Sequence, residues 1–167
     1  MTAKRQVFYS FHYAPDCWRA STVRSIGAIE GNRPAPDNDW ETVVRGGDDA
    51  IKKWISDQME YRSCTVVLVG SQTSNRKWIN HEIVKSWNKK MGVVGIYIHG
   101  LKNSKGLTST KGNNPFEYIS YGDTGKKLSS LVKCYNPGGN DSKEKYEWIT
   151  KYIGAAVEEA ITIRENN

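Results

Sequence analysis

The chain has 167 residues, 38% of them hydrophobic and 11% aromatic, enough for one hydrophobic core at the usual size of a single domain. Its mean hydropathy of -0.64 and the lack of any apolar run near ~20 residues exclude a membrane-spanning helix. The formal charge of +6 comes from scattered pairs such as Lys52-Lys53, Lys89-Lys90 and Lys126-Lys127, not from a basic stripe interleaved with aromatics, so nucleic acid is not an expected partner. A diffuse positive field of this kind still suits an anionic ligand such as a dinucleotide.

In chain order, MTAKRQVFYSF passes from basic residues straight into a strand-like run, QVFYSF (6–11). It lacks a signal-peptide core and cleavage site, so the cytoplasm is the expected location. A short element is expected near Ile26–Ile29, followed by a Pro-, Gly- and Asp-rich loop over 31–47. DDAIKKWISDQM (48–59) has helical spacing, with Ile51, Ile55 and Met59 on one stripe and Trp54 beside it. A second apolar run, CTVVLVG (64–70), precedes a second helix, RKWINHEIVKSW (76–87), whose stripe is Ile79, Ile83 and Trp87. The run at 93–98 is a third strand, and a second long loop fills 99–117. Loops this long inside one domain usually bind something or move. A short strand is expected near Val132–Tyr135. Asp141 and Glu144 resemble a capping box, and Tyr146, Ile149, Ile153, Ala156, Val157, Ala160 and Ile161 then follow the helical period.

The three strong strand runs are rich in β-branched and aromatic residues and show little alternation, as expected where both sheet faces are covered. Strands alternating with helices predict an α/β, flavodoxin-like three-layer fold with a central parallel sheet of four to five strands, in one domain over 1–167.

Several chemistries are excluded. There is no G-x-G-x-x-G, and GDTGKK (122–127) has the wrong spacing for a P-loop. A phospho-acceptor receiver needs acidic residues at strand ends, where this chain has Ser10-Phe11-His12 and Gly70-Ser71. Cys17, Cys64 and Cys134 are odd in number and far apart, giving neither a disulfide framework nor zinc spacing. His12, His81 and His99 are equally dispersed, so no metal site is expected, and no G-x-S-x-G is present.

The helix after CTVVLVG draws attention because of one carboxylate. Trp78 and Glu82 stand at i and i+4, on a stripe about 100° round the helix from Ile79 and Ile83. That spacing puts Glu82 at the boundary of core and solvent beside an aromatic wall. The first turns of a helix that follows a strand lie at the carboxyl edge of the sheet, where open α/β folds bind ligands. The alternative is a surface carboxylate paired with Lys85 at i+3.

TIR domains carry a glutamate four residues after the tryptophan of a Ser-x-x-Trp-type helix start, and Trp78 and Glu82 have that spacing. VFYSFHY (7–13), LVGSQTSNRKWINHEIVKS (68–86) and the blocks between 93 and 118, ending in KGNNPFEY, together resemble the bacterial TIR-like proteins of the Thoeris anti-phage system. The resemblance covers most of residues 6–118. It departs from the pattern at Asn75-Arg76-Lys77, where many TIR domains have a small Ser, and at His81 before the Glu.

The resemblance implies an enzyme that cleaves NAD, as substrate and without a further cofactor, with Glu82 as its catalytic carboxylate. It also places Ser10 and Phe11 near the nicotinamide riboside. Phe11 is equally suited to core packing. Ser71 would donate to a phosphate or cap its loop, Trp40 would serve as a lid aromatic, and Trp78 would form a wall of the site. The product implied is a cyclic ADP-ribose-type messenger that reaches an effector protein by diffusion, and self-association is expected because TIR domains often complete sites between protomers. Two rivals stand beside this: a non-catalytic TIR scaffold and an NAD hydrolase acting by depletion.

Overall fold

The apolar runs assemble into one parallel sheet whose two faces are both covered. The computed structural model describes residues 5–26, 30–31 and 43–167. Strands β1 (Gln6–Ser10), β2 (Glu30–Gly31), β3 (Cys64–Val69), β4 (Gly92–Tyr97) and β7 (Cys134–Tyr135) lie in the order β2-β1-β3-β4-β7. Every pairing in this sheet is parallel. A separate hairpin pairs β5 (Ser120–Tyr121) with β6 (Lys126–Lys127). This order is that of a flavodoxin-like doubly wound sheet, in which the winding direction reverses between the first and third strands.

Period-two geometry sorts each strand's side chains between two layers. Val7, Tyr9, Val66, Leu68, Val94 and Ile96 face one layer, built by Ala20 and Val23 of α1 (Tyr13–Arg24) and by Ile149, Ile153 and Val157 of α4 (Ser142–Glu165). On the opposite face, Val67, Val69, Val93 and Tyr97 meet Ile79 and Ile83 of α3 (Lys77–Asn88). Phe8, on that same side, meets Ile51, Ile55 and Met59 of α2 (Asp48–Met59). Burial on both faces explains why the strand sequences do not alternate.

Most expected elements are present with small shifts. β1 and β3 end one residue before their apolar runs, and β4 begins at Gly92. Gly92 is needed there: a Cβ would lie 2.7 Å from the Ile161 amide nitrogen, so the bare backbone lets α4 approach the sheet. Of the element expected near Ile26–Ile29, residues 27–29 lie outside the described residues; β2 stands just after it, at Glu30–Gly31. Most of the 31–47 loop also lies outside them. At α4 the Asp141 carboxylate accepts from the Glu144 amide at 2.9 Å. The Glu144 carboxylate reaches back to the Asn140 amide at 2.6 Å, one residue earlier than in a standard capping box.

One helix, α1, has no apolar periodicity to announce it. α1 turns Asp16 and Arg19 inward beside Ala20 and Val23, so its buried face carries an ion pair where apolar periodicity would be sought. Pro15 is no obstacle, because the first-turn amides have no partner within the helix. Among the described residues no helix is long and apolar enough to cross a membrane.

Candidate active site

The parallel register sets Ser10, the last residue of β1, level with Val67 of β3. Ser10 shares the strand face of Phe8, so its side chain lies on the α2–α3 side at the switch point, the usual ligand crevice of such sheets. Glu82 comes to it from the second turn of α3. It is 8% exposed, and the Ser10 hydroxyl donates to its Oε1 at 3.2 Å.

Glu82 is therefore deeper than its spacing implied, and the surface pair with Lys85 is not formed. The helix flank bearing Trp78 and Glu82 is covered by Phe8 and by Ile51, Ile55 and Met59 of α2. Spacing defines a helix face but not what will pack on it. Burial raises the Glu82 carboxyl to about 8, opposed by the Ser10 hydrogen bond. The group is mostly protonated in the ligand-free protein at neutral pH, since desolvation disfavours its charged form.

The backbone under Glu82 is fixed as well. Its carbonyl accepts from the Ser86 hydroxyl at 2.6 Å, and Ser86 Oγ lies 2.6 Å from Thr65 Oγ1 on β3. Neither residue is legible in the sequence, because a polar pair inside a core has no periodic signal. Trp78, one turn earlier, is half-buried, with its ring edge-on to His81 at 5.6 Å and 80°. Lys77 Nζ stands 4.9 Å over the same ring and pairs with Asp48 at 2.5 Å, tying the start of α3 to the start of α2.

Ser71 lies in the turn after β3, half-buried, where the Gly70 amide donates to Thr73 Oγ1 at 2.8 Å. Thr73, fully buried, is thus the residue that caps this loop. Phe11 is not brought to the group: it packs against the α1–α4 layer and stacks on Tyr13 at 6.1 Å. Trp40 lies outside the described residues.

Two histidines join the site's surroundings. His81 Nε2 and His12 Nδ1 are buried without a hydrogen-bond partner among the described residues. Burial lowers both imidazoles, aided by Lys85 and Lys52 at His81 and by Arg76 at His12. Among the described residues no three His, Cys, Asp or Glu side chains cluster as a metal site would require.

Fold and site together define a flavodoxin-like α/β domain with a buried carboxylate at its switch point. Residues 8–103 match the family described as "Thoeris protein ThsB, TIR-like domain". Over 131 residues the chain is 37% identical to "Putative cyclic ADP-D-ribose synthase ThsB1" of Bacillus cereus (strain MSX-D12), covering 74% of this chain and 68% of that protein. The chain belongs to the Thoeris ThsB family of TIR-like domains.

Proposed function

We propose that this protein cleaves NAD at the nicotinamide–ribose bond and closes the remainder into a cyclic ADP-ribose-type messenger for anti-phage defence. The observation that carries this reading is Glu82: a buried carboxylate with one described hydrogen bond, from Ser10, at the sheet's switch point. The name of its Bacillus cereus relative supports the same class of product.

The chemistry needs one carboxylate. Nicotinamide departs as a neutral molecule from a cationic substrate, so no general acid has to protonate it. Positive charge develops on the ribose as the bond breaks, and an ionised Glu82 is placed to stabilise it and to hold the ribose hydroxyls. This differs from glycosidases that use two carboxylates. Nucleophilic attack by an atom of the same molecule, with loss of a proton, closes the ring, whereas attack by water gives linear ADP-ribose. In this scheme Ser10 orients the Glu82 carboxylate, Trp78 forms the adjoining wall and Ser71 meets the phosphate side of the ligand. The product reaches its effector by diffusion.

The cationic substrate also resolves a conflict in the free protein. A carboxyl held near 8 gives up its proton more readily when a pyridinium is bound beside it. Substrate binding itself therefore generates the anion that catalysis requires.

The test is incubation of the protein with NAD, in extract from phage-infected cells, followed by nicotinamide release and product mass. A product lighter than ADP-ribose by one water is expected. ADP-ribose alone would replace this reading with hydrolytic depletion, and intact NAD with folded protein would leave a scaffold.

A further inference from the structure

Two strands from Ser10, on the same sheet face, the carboxyl end of β4 carries a polar group that the cleavage step does not use. Lys111 Nζ stands 4.7 Å over the ring of Tyr97, and His99 meets that ring edge-on at 5.9 Å and 78°. His99 Nδ1 and Ser109 Oγ are buried without a hydrogen-bond partner among the described residues, although the Ser109 amide donates to the His99 carbonyl at 2.9 Å.

Among the described residues the cations here outnumber the carboxylates that pair with them. Burial, then Lys145, Lys111 and Arg19, hold the His99 imidazole below its ordinary value. Arg19 is matched by Asp16 at 3.0 Å, and Lys145 donates to the Pro137 carbonyl at 3.1 Å. Lys111 is exposed and has no ion-pair partner among the described residues, while Glu117, which acts on Tyr97, is an exposed carboxylate.

The position is set by the backbone. A Cβ on Gly112 would come within 2.3 Å of the Gly70 carbonyl oxygen and 3.0 Å of the Ser71 oxygen, so the 111–112 segment lies directly against the end of β3. Arg19 fixes the preceding loop by donating to the Leu101 carbonyl at 2.7 Å and the Leu107 carbonyl at 2.9 Å. Neighbouring strands stand ~4.8 Å apart, so a ligand whose ribose meets Ser10 and Glu82 passes Ser71 and reaches the β4 end after about 10 Å. In an extended dinucleotide that stretch holds the diphosphate.

We propose that Lys111, backed by Tyr97 and His99, anchors the diphosphate of the substrate and gives the site its preference for dinucleotides. The assignment rests on Glu82 being the NAD-cleaving carboxylate. It adds a binding residue from the 99–117 loop, outside the 8–103 family match.

ADP-ribose, which carries the diphosphate but no nicotinamide bond, is the direct probe. Lys111→Ala is expected to weaken its calorimetric binding about tenfold and to raise KM for NAD by a similar factor, with a much smaller change in kcat. Lys111→Arg should recover most of the loss, and Lys89→Ala, at the far end of α3, should bind like wild type. Unchanged ADP-ribose affinity in Lys111→Ala overturns the anchor, as does equal loss in the Arg variant or no binding to the parent protein. Lys111-dependent ADP-ribose binding with no NAD cleavage would instead keep the anchor and remove the cleavage reading.

Discussion

At the scale of single residues, the properties of Glu82 come from its neighbours more than from its place on α3. Its proton is held by burial, and the Ser10 hydroxyl is the group that eases its release. The kcat/KM for NAD is therefore expected to rise with pH up to about 8 and then level, because that profile reports the free enzyme. Ser10→Ala removes a hydrogen bond to the charged form, so the rising limb should move about one pH unit more alkaline. A limb that stays in place would show that Ser10 does not act on the carboxyl. Stability carries the same linkage. Below the ordinary value of 4.5 the carboxyl is protonated in both folded and unfolded chains and contributes no pH dependence. Between 4.5 and about 8 the unfolded chain has released the proton and the folded one has not, so rising pH costs the wild type stability. Glu82→Gln is free of this cost, and its advantage in denaturant unfolding should grow from pH 5 to pH 9 by an amount on the order of 4 kcal/mol. The sequence showed which stripe Glu82 occupies; it did not show the apolar cover from α2 that governs its proton.

At the scale of elements, α1 and the loop after β4 form one unit through Arg19. Arg19 is 3% exposed, and its guanidinium joins Asp16 to the carbonyls of Leu101 and Leu107. Asp16 keeps one oxygen, Oδ2, without a hydrogen-bond partner among the described residues, facing Gly70 so closely that a Cβ there would lie 2.1 Å away. Arg19→Ala would strand a buried carboxyl and two loop carbonyls. A loss of about 3–5 kcal/mol in chemical denaturation is expected, with faster amide exchange at 101–109. A loss below about 1 kcal/mol would show that the loop is held by other contacts. This unit also marks a limit of sequence reading. α2 was legible because its inward face is purely apolar, α3 because Ile79 and Ile83 keep the helical period beside the buried Glu82 and Ser86, and α4 because its stripe is joined to a capping residue. α1 hides its inward face behind Asp16 and Arg19, and the hairpin of β5 and β6 consists of two-residue strands too short for any period to register.

At the scale of the whole molecule, three buried strands and their intervening helices were enough to set the parallel, doubly wound order, because connection handedness and two-sided burial leave few alternatives. The same order creates the switch point between β1 and β3, so the region of the candidate site is legible before any side-chain contact. Its membership was less so. Ser10 and Trp78 stand beside Glu82, Ser71 lies in the turn after the next strand, and Phe11 turns to the opposite layer, as alternation from β1 would carry it. The residues that hold Glu82 from beneath, Ser86 and Thr65, are polar groups inside a core and have no pattern to announce them. The measurement that bears most directly on the account is product analysis, by chromatography with mass detection, in phage-infected cells expressing wild type or Glu82→Gln at equal levels of folded protein. Nicotinamide and a cyclised ADP-ribose product are expected in the wild type, reduced about a hundredfold or more in the variant. Equal product from both proteins would contradict the role of Glu82 at the centre of the site.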